Sequence, residues 1–266
     1  MSLRLPPLLE PYLALPAESS LVLATSVLGA STNWLVLRHL YRYLGPRSLP
    51  GEGADGVEGG AEEEVGVVLV SFMRDGVFWR EGAVKLGLDL ESLSKKGRFH
   101  HVDGLTGLFT EDDATSGRSN NILKSSRVDH VKGHLEEAVS HIRCRKTVLI
   151  IDQVDVLLAA AEETTSTSLS AMILSLRERV YSTLLTMSAD APLIQSQTTM
   201  LEREHAALVL GQAHEATRVF SLRMLDTGTA RDVSGVVRIT TTDEDEAEYL
   251  YFVAGDGNVK VFQRGT

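Results

Sequence analysis

The sequence predicts an α/β fold, in which a doubly wound, mainly parallel sheet carries helices on both faces and an antiparallel β extension at its C-terminal end. Two observations predict it. Apolar strand-like runs alternate with amphipathic helical stretches along most of the chain, which is typical of a parallel sheet. Residues 219–263 instead contain four short strand-like runs separated by turn residues, which indicates an antiparallel meander.

The first unit of the predicted sheet is a strand, a turn and a helix. Residues 21–28 (LVLATSVL) are short, apolar and rich in branched side chains, which favours a buried strand. A turn over residues 29–33 follows, and Asn33 is a plausible N-cap of the next helix. That helix is predicted by apolar side chains at helical spacing up to Leu44, and the Gly-Pro pair that follows ends it.

The next units repeat this alternation. A strand is predicted at 65–73, and helical stretches at 76–86 and 89–96 separate it from a third strand at 98–103. Apolar residues spaced by three and four then predict an amphipathic helix over 127–143.

The central strand of the sheet is predicted at 147–151 (TVLII), where it is followed by Asp152. Its apolar residues face both ways, as in a parallel strand that helices cover on both sides. A helix carries an apolar stripe from Leu169 to Val180, and a further strand is predicted at 183–187. Residues 199–213 fit either a helix or a strand.

The chain has 266 residues, and we expect residues 1–266 to form a single domain with two poorly patterned segments. Residues 46–64 are rich in Gly, Pro and acidic residues, which predicts a flexible acidic, Gly-rich insertion. Residues 110–126 are polar and have few apolar anchors, which predicts a mobile loop.

Composition narrows the classes of function. The 26 basic and 36 acidic residues give a formal charge of −10, which argues against broad charge-driven binding of DNA. Cys144 is the one cysteine, so no internal disulfide can form and a reducing compartment is expected. Four prolines interrupt the apolar N-terminal segment, and no run is long enough to span a membrane. We therefore expect a soluble protein of the cytoplasm, with the nucleus open as a second location.

The loop after the first strand is the place where an α/β sheet would bind a nucleotide. A phosphate-binding loop needs Gly, four residues and then Gly-Lys-Ser/Thr, whereas this loop has Gly29 followed by Ala-Ser-Thr-Asn-Trp. It has no second glycine and no lysine before Lys85, so the site is predicted to be degenerate. Ser31, Thr32 and Asn33 either cap the helix or leave a weak anion site at its end.

Asp152 ends the central strand, where a working nucleotide site would place its magnesium-binding carboxylate. Without a matching lysine, Asp152 is assigned to the same degenerate site, and no catalytic residue, cofactor or metal is predicted. His130, His134 and His141 lie on one stripe of the helix predicted over 127–143, which we interpret as a solvated polar face rather than a metal site.

One long block of sequence is distinctive. Residues 67–109, which run from VVLVSFMRDGVFW to HHVDGLTGLF, resemble the sixth subunit of the Elongator complex in a fungal version. The shorter phrases LLTMSADAPLI, LEREHAAL and DTGTARDVSGVVRI support this resemblance, which extends from about residue 18 to the C-terminus. The acidic insertion and the polar loops do not contribute to it.

The resemblance implies a RecA-like fold without functional phosphate-loop motifs. It also implies assembly with two paralogous RecA-like subunits into a hetero-hexameric ring that joins the catalytic Elongator subunits. That ring binds transfer RNA (tRNA) and supports carboxymethyl-type modification of the wobble uridine. The missing lysine puts nucleotide hydrolysis by this chain in doubt.

Three basic residues in and beside the predicted mobile loop are candidates for contact with RNA: Arg118, Lys124 and Arg127. Flexible basic loops can follow a phosphate backbone without reading bases, although the same charges also fit a solvated loop. A second basic cluster, at 141–146, fits cations that complement a helix dipole. A role between subunits for Arg143 or Arg145 stays a hypothesis.

Two other classes of function remain open. One is an active RecA-like ATPase or small-molecule kinase with an unusual phosphate site. The other is a protein adaptor that never contacts RNA.

Overall fold

The computed structural model describes residues 5–46, 64–109, 121–161, 163–225, 228, 230–242 and 246–263. The insertion predicted over 46–64 therefore lies outside the described residues except at its two ends. Most of the loop predicted over 110–126 lies outside them as well.

Strands and helices alternate through the described part of the chain. The strands are β1 (Ser20–Ser26), β2 (Val65–Ser71), β3 (Phe99–Asp103), β4 (Lys146–Asp152), β5 (Ser182–Ser188), β6 (Arg218–Arg223), β7 (Gly235–Thr241), β8 (Ala247–Val253) and β9 (Val259–Phe262). The helices are α1 (Glu10–Leu13), α2 (Asn33–Leu44), α3 (Gly76–Lys85), α4 (Leu90–Lys95), α5 (Thr106–Phe109), α6 (Val128–Ser140), α7 (Val156–Ala160), α8 (Ser166–Arg177) and α9 (Met200–Glu215). A π-helical turn, Pro192–Ser196, precedes α9.

The nine strands form one sheet in the order β3-β2-β4-β5-β1-β6-β7-β8-β9. The pairs from β3 to β6 are parallel, and those from β6 to β9 are antiparallel. The mainly parallel sheet with an antiparallel C-terminal extension is therefore confirmed. So is the central position of β4, which lies between β2 and β5.

Each parallel strand divides its side chains between two cores. In β2, Val67 and Leu69 pack on one face of the sheet, while Val68 and Val70 pack on the other. Helices α1 to α4 cover the first face. Apolar residues of β7, β8 and β9 belong to the same apolar core. Helices α6 to α9 cover the second face, which confirms the prediction of helices on both faces.

The structure settles one ambiguous segment and shortens several predicted elements. Residues 199–213 belong to helix α9, because Thr199 and Glu202 form a capping box at its start. Strand β1 ends at Ser26, two residues before the predicted end, and Leu28 lies in the following turn with 97% of its surface exposed. Strand β2 ends at Ser71 rather than at residue 73, and α6 spans Val128–Ser140 rather than 127–143. Helices α1 and α7 were not predicted, since each has at most five residues.

The described end of the predicted mobile loop, residues 121–126, is anchored. The Leu123 side chain is fully buried. The Leu123 N–H donates to the Asp103 carbonyl over 2.9 Å, and the Asp103 N–H donates to the Asn121 carbonyl over 2.7 Å. This end of the loop therefore extends the outer side of β3.

Among the helices that the structure describes, none combines the length and the apolar composition needed to cross a membrane.

Candidate functional site

The carboxyl ends of β1, β5 and β4 define the place where a nucleotide would bind in this type of sheet. Strand β5 lies between the other two. The turn after β1 and the carboxylate at the end of β4 are therefore at the same edge, about 10 Å apart at a strand spacing of about 4.8 Å.

Backbone N–H groups in the turn after β1 already have partners within the protein. The Leu28 N–H donates to the Asp190 carboxylate over 2.9 Å, and the Ala30 N–H donates to the Val27 carbonyl over 2.8 Å. Asp190 belongs to the loop after β5. In the same loop, the Ala189 N–H donates to the Ser26 carbonyl at the end of β1 over 2.7 Å. A phosphate at this turn would have to displace a carboxylate of its own charge.

Gly29 lies in close contact with a neighbouring side chain. A Cβ atom built on Gly29 would come within 2.8 Å of the Met224 sulfur. Met224 follows β6 and packs over the turn. The small residue therefore makes room for a neighbouring side chain.

The start of α2 corrects the prediction for Asn33. Thr32 occupies the N-cap position, its side chain makes no capping hydrogen bond, and Asn33 is the first residue of the helix. The Ser31 hydroxyl accepts a hydrogen bond from the Asn33 N–H over 3.1 Å. Ser31, Thr32 and Asn33 thus lie together at the helix start, where Ser31 rather than Asn33 supplies the cap.

Asp152 is enclosed between its neighbouring strands. It is 0% exposed, and its two carboxylate oxygens accept hydrogen bonds from the Ser71 and Thr186 hydroxyls, each over 2.7 Å. Burial raises the pKa of Asp152, although both hydrogen bonds favour the charged form. Because the Asp152 side chain is fully buried, magnesium could reach it only if the surrounding residues moved.

A second buried pair near this edge was not predicted. His205 of α9 and Asp155 are both buried, with 3.9 Å between His205 Nδ1 and Asp155 Oδ2. Burial raises the pKa of Asp155, while the nearby His205 opposes the shift. Asp155 was visible in the sequence only as an acid after β4, and nothing there pairs it with His205.

This pair does not activate a nucleophile. Nε2 of His205 donates to the Ser188 carbonyl over 2.9 Å, and the Ser188 hydroxyl donates to the Gln153 side chain over 3.0 Å. The Ser188 N–H donates to Asp155 Oδ2 over 3.2 Å. Because His205 contacts Ser188 through its backbone, a serine–histidine proton transfer has no path here.

The three histidines of the predicted stripe do not form one group, since His130 and His134 lie in α6 and His141 follows its end. The rings of His130 and His134 stack with 6.3 Å between their centroids, and His141 instead stacks on His100 of β3 at 5.0 Å. Burial is the main cause that lowers the pKa of His100 and of His134. In the described part of the chain, no group of three or more His, Cys, Asp or Glu side chains could hold a metal ion.

Comparison with known proteins identifies the family. The Elongation complex protein 6 family profile matches residues 62–251, well over half of the chain. The chain belongs to this family. A curated relative, the Elongator complex protein 6 homolog of Schizosaccharomyces pombe, is 25% identical over 200 residues, which span 68% of this chain and 72% of the relative. Membership of the Elongation complex protein 6 family supports a role as an Elongator subunit beside other Elongator subunits.

A solved structure confirms the RecA-like fold of this family member. A KaiC-like protein from the archaeon Pyrococcus horikoshii superimposes with a TM-score of 0.58 at 17% identity. The match covers 92% of this chain and 90% of the archaeal one. At this level of identity, the likeness concerns the fold alone.

The three candidate RNA contacts of this Elongation complex protein 6 family member lie around the loop between α5 and α6. Arg118 is outside the described residues. Lys124 and Arg127 are exposed on either side of the short segment that leads into α6. Because Leu123 beside them is buried, these two cations project from an anchored segment.

The second basic cluster meets the end of α6 through His141, whose Nδ1 donates to the Glu137 carbonyl over 2.8 Å. Helix α6 ends at Ser140 and has no basic residue in its last turn. Arg143 and Arg145 lie beyond the helix, and Lys146 begins β4. Interaction with the helix end falls off within one turn, so complementing the dipole stays a prediction for Arg143 and Arg145.

Proposed function

We propose that this chain is a non-catalytic subunit of the Elongator complex. It assembles with two paralogous RecA-like subunits into a hetero-hexameric ring that binds tRNA. The ring supports carboxymethyl-type modification of the wobble uridine, while catalytic Elongator subunits perform the chemistry. The chain acts in the cytoplasm, with the nucleus as a second location.

The turn after β1 is the observation that supports a non-catalytic role. A carboxylate, Asp190, accepts the Leu28 N–H at the place where a phosphate would bind. In the part of the chain that the structure describes, no cationic side chain hydrogen-bonds this turn. Phosphoryl transfer depends on positive charge around the phosphates, so this arrangement disfavours catalysis.

Exposed apolar side chains support assembly with partners. Six of them lie in segments that follow β1, β2, β3 and β5, at the carboxyl edge of the sheet: Leu28, Met73, Val77, Phe109, Met200 and Leu201. Leu28 is 97% exposed and Met200 is 68% exposed. Large apolar side chains that share one edge are typical of a surface that a partner covers.

Co-expression with the two paralogous subunits tests this function. The expected product is a mixed particle of six chains by native mass measurement, and it binds tRNA. Replacing Arg118, Lys124 and Arg127 by alanine within the particle is expected to weaken binding. A stable monomer that ignores both paralogues would contradict the assembly, and a six-chain particle without affinity for tRNA would contradict the RNA-binding role.

A further inference from the structure

Two short stretches hold an unusual share of the positive charge. Residues 95–98 and 143–146 each contain three basic residues in four positions, although the whole chain carries a charge of −10. We call these six residues the basic edge patch: Lys95, Lys96, Arg98, Arg143, Arg145 and Lys146.

The fold brings the two stretches together. The Arg143 N–H donates to the Gly97 carbonyl over 2.9 Å. Gly97 has a φ of +71°, and a Cβ atom built there would come within 2.8 Å of Arg143 Cγ, so the Arg143 side chain lies directly against it. Both stretches lead into strands, β3 and β4, and only β2 lies between these strands in the sheet. The patch therefore occupies the amino edge of the sheet, opposite the edge where a nucleotide would bind.

Three of the six positive charges of the patch have no carboxylate partner among the described residues. Lys95, Lys96 and Arg143 are exposed, and no carboxylate of the described residues lies within 4.0 Å of their charged nitrogens. Arg98 approaches Glu64, but over 4.0 Å and with the Glu64 side chain 70% exposed. An ion pair that is this long and this exposed neutralises little.

Structural roles account for only part of this charge. Lys95 and Lys96 stand at the end of α4, and Arg98 donates to the Val65 carbonyl over 3.4 Å. Arg143 lies beyond the end of α6 and has no such contact for its charged group among the described residues. Clustered like charges repel one another, which is a cost that an anionic partner would remove.

Planar rings lie beside the patch, as they do on surfaces that bind single-stranded RNA. His100 and His141 stack on each other with their planes 12° apart, and they lie two residues away in sequence from Arg98 and Arg143. The Lys146 ammonium lies 4.8 Å from the centroid of the Tyr181 ring. Single-stranded RNA is bound by positive charge along its phosphates combined with stacking of its bases on planar side chains.

We propose that the basic edge patch binds the phosphate backbone of RNA. This inference rests on the proposed function, since it names a surface by which this subunit of the ring holds RNA. Contact with phosphates is independent of sequence, so the patch is expected to position the RNA and to leave recognition to other surfaces.

The test is fluorescence anisotropy with labelled tRNA and the assembled complex at several salt concentrations. The variant Lys95→Gln/Lys96→Gln/Arg143→Gln removes three exposed charges. Each lost contact lowers the salt slope by about 0.7 to 0.9, so we expect a slope shallower by about 2 and binding roughly 10- to 100-fold weaker at 0.1 M salt. The control Lys85→Gln/Arg231→Gln/Lys260→Gln has the same change in charge at exposed positions elsewhere and is expected to bind several-fold more tightly than the patch variant.

The outcomes separate this inference from the proposed function. If the unmodified complex binds tRNA and both triple variants weaken it equally, the patch is not an RNA site, although the proposed function stands. If the unmodified complex does not bind tRNA at all, both proposals are wrong. If the patch variant fails to assemble while the control assembles, the patch is a protein interface and the inference is overturned.

Discussion

The two edges of the sheet differ in where their polar groups find partners. At the carboxyl edge, Asp152 accepts two hydroxyl hydrogen bonds and Asp190 accepts the Leu28 N–H, so the polar groups there pair with one another. At the amino edge, Lys95, Lys96 and Arg143 are exposed and have no carboxylate partner among the described residues.

Together with the proposed RNA site, this difference implies that the fold was kept while its binding surface changed edge. Ligands of α/β sheets bind beyond the carboxyl ends of the strands, because the loops and helix starts that can hold them are there. In this protein, that edge is closed by internal carboxylates and displays apolar side chains such as Leu28. The charge available for an anionic partner lies at the opposite edge.

The largest predicted effect is on stability and concerns the buried hydrogen bonds that Asp152 accepts. Asp152→Ala leaves the Ser71 and Thr186 hydroxyls without their buried acceptor, and each unsatisfied group costs about 1–3 kcal/mol. We expect the free energy of unfolding to fall by about 2–4 kcal/mol in urea melts. Asp152→Asn keeps an acceptor of the same shape and should change it by less than about 1 kcal/mol at neutral pH. A fully stable Asp152→Ala variant would show that the carboxylate is not part of the packing.

The same carboxylate gives stability a defined pH dependence. Burial raises its pKa, so the unfolded chain releases this proton first as the pH rises above about 3.9. Ionisation of Asp152 therefore lowers stability as the pH rises from that value through the raised pKa of the folded state. The stability of Asp152→Asn relative to the native chain should increase between pH 4.5 and pH 7.5. A constant difference across that range would contradict the raised pKa.

The second effect concerns the exposed apolar side chains of the carboxyl edge. Burying a leucine side chain contributes about 1.5–3 kcal/mol, so Leu28→Asp should weaken assembly with the paralogous subunits by about 10- to 100-fold. Leu174→Asp is the control, because Leu174 is an exposed leucine too, at 52%, but lies on α8. Light scattering at falling protein concentration measures both. Equal weakening by the two changes would show that the carboxyl edge is not a special surface.

The smallest predicted effect is on stability and concerns Gly97, where the two stretches of the basic edge patch meet. Gly97 has a φ of +71°, where a residue with a Cβ atom costs about 1–2 kcal/mol. Gly97→Ala should therefore lower the free energy of unfolding by about that amount and displace Arg143. Gly133→Ala is the control: Gly133 lies within α6, a Cβ there meets nothing within 4 Å, and a gain of up to about 1 kcal/mol is expected. If Gly97→Ala were as stable as its control, the close contact with Arg143 would be absent.

The sheet could be predicted from the sequence because its strands are apolar on both faces. The run TVLII before Asp152 has that pattern, and so does the second strand, whereas the alternating C-terminal runs indicate hairpins. The helix at 199–213 stayed ambiguous although Thr199 and Glu202 have the spacing of a capping box. That local signal would have decided between helix and strand.

The candidate site could be predicted only in part, since its partners come from distant parts of the chain. The missing lysine after β1 was visible in the sequence. The carboxylate that closes the same turn was not, because Asp190 is 162 residues away from Leu28. Half of the basic edge patch was visible in the sequence within the cluster at 141–146, and the other half at 95–98 joins it through contacts such as that between Gly97 and Arg143.

The most direct test of the central claim, that the carboxyl edge is closed to nucleotide, is a calorimetric titration of the purified full chain with ATP and magnesium. A cooperative urea melt first establishes that the chain is folded. If the carboxyl edge is closed, we expect no saturable binding of ATP at concentrations up to about 1 mM. Any binding would then be weaker than about 4 kcal/mol. Saturable binding that Asp152→Asn abolishes would place a magnesium nucleotide at the end of β4 and contradict the account.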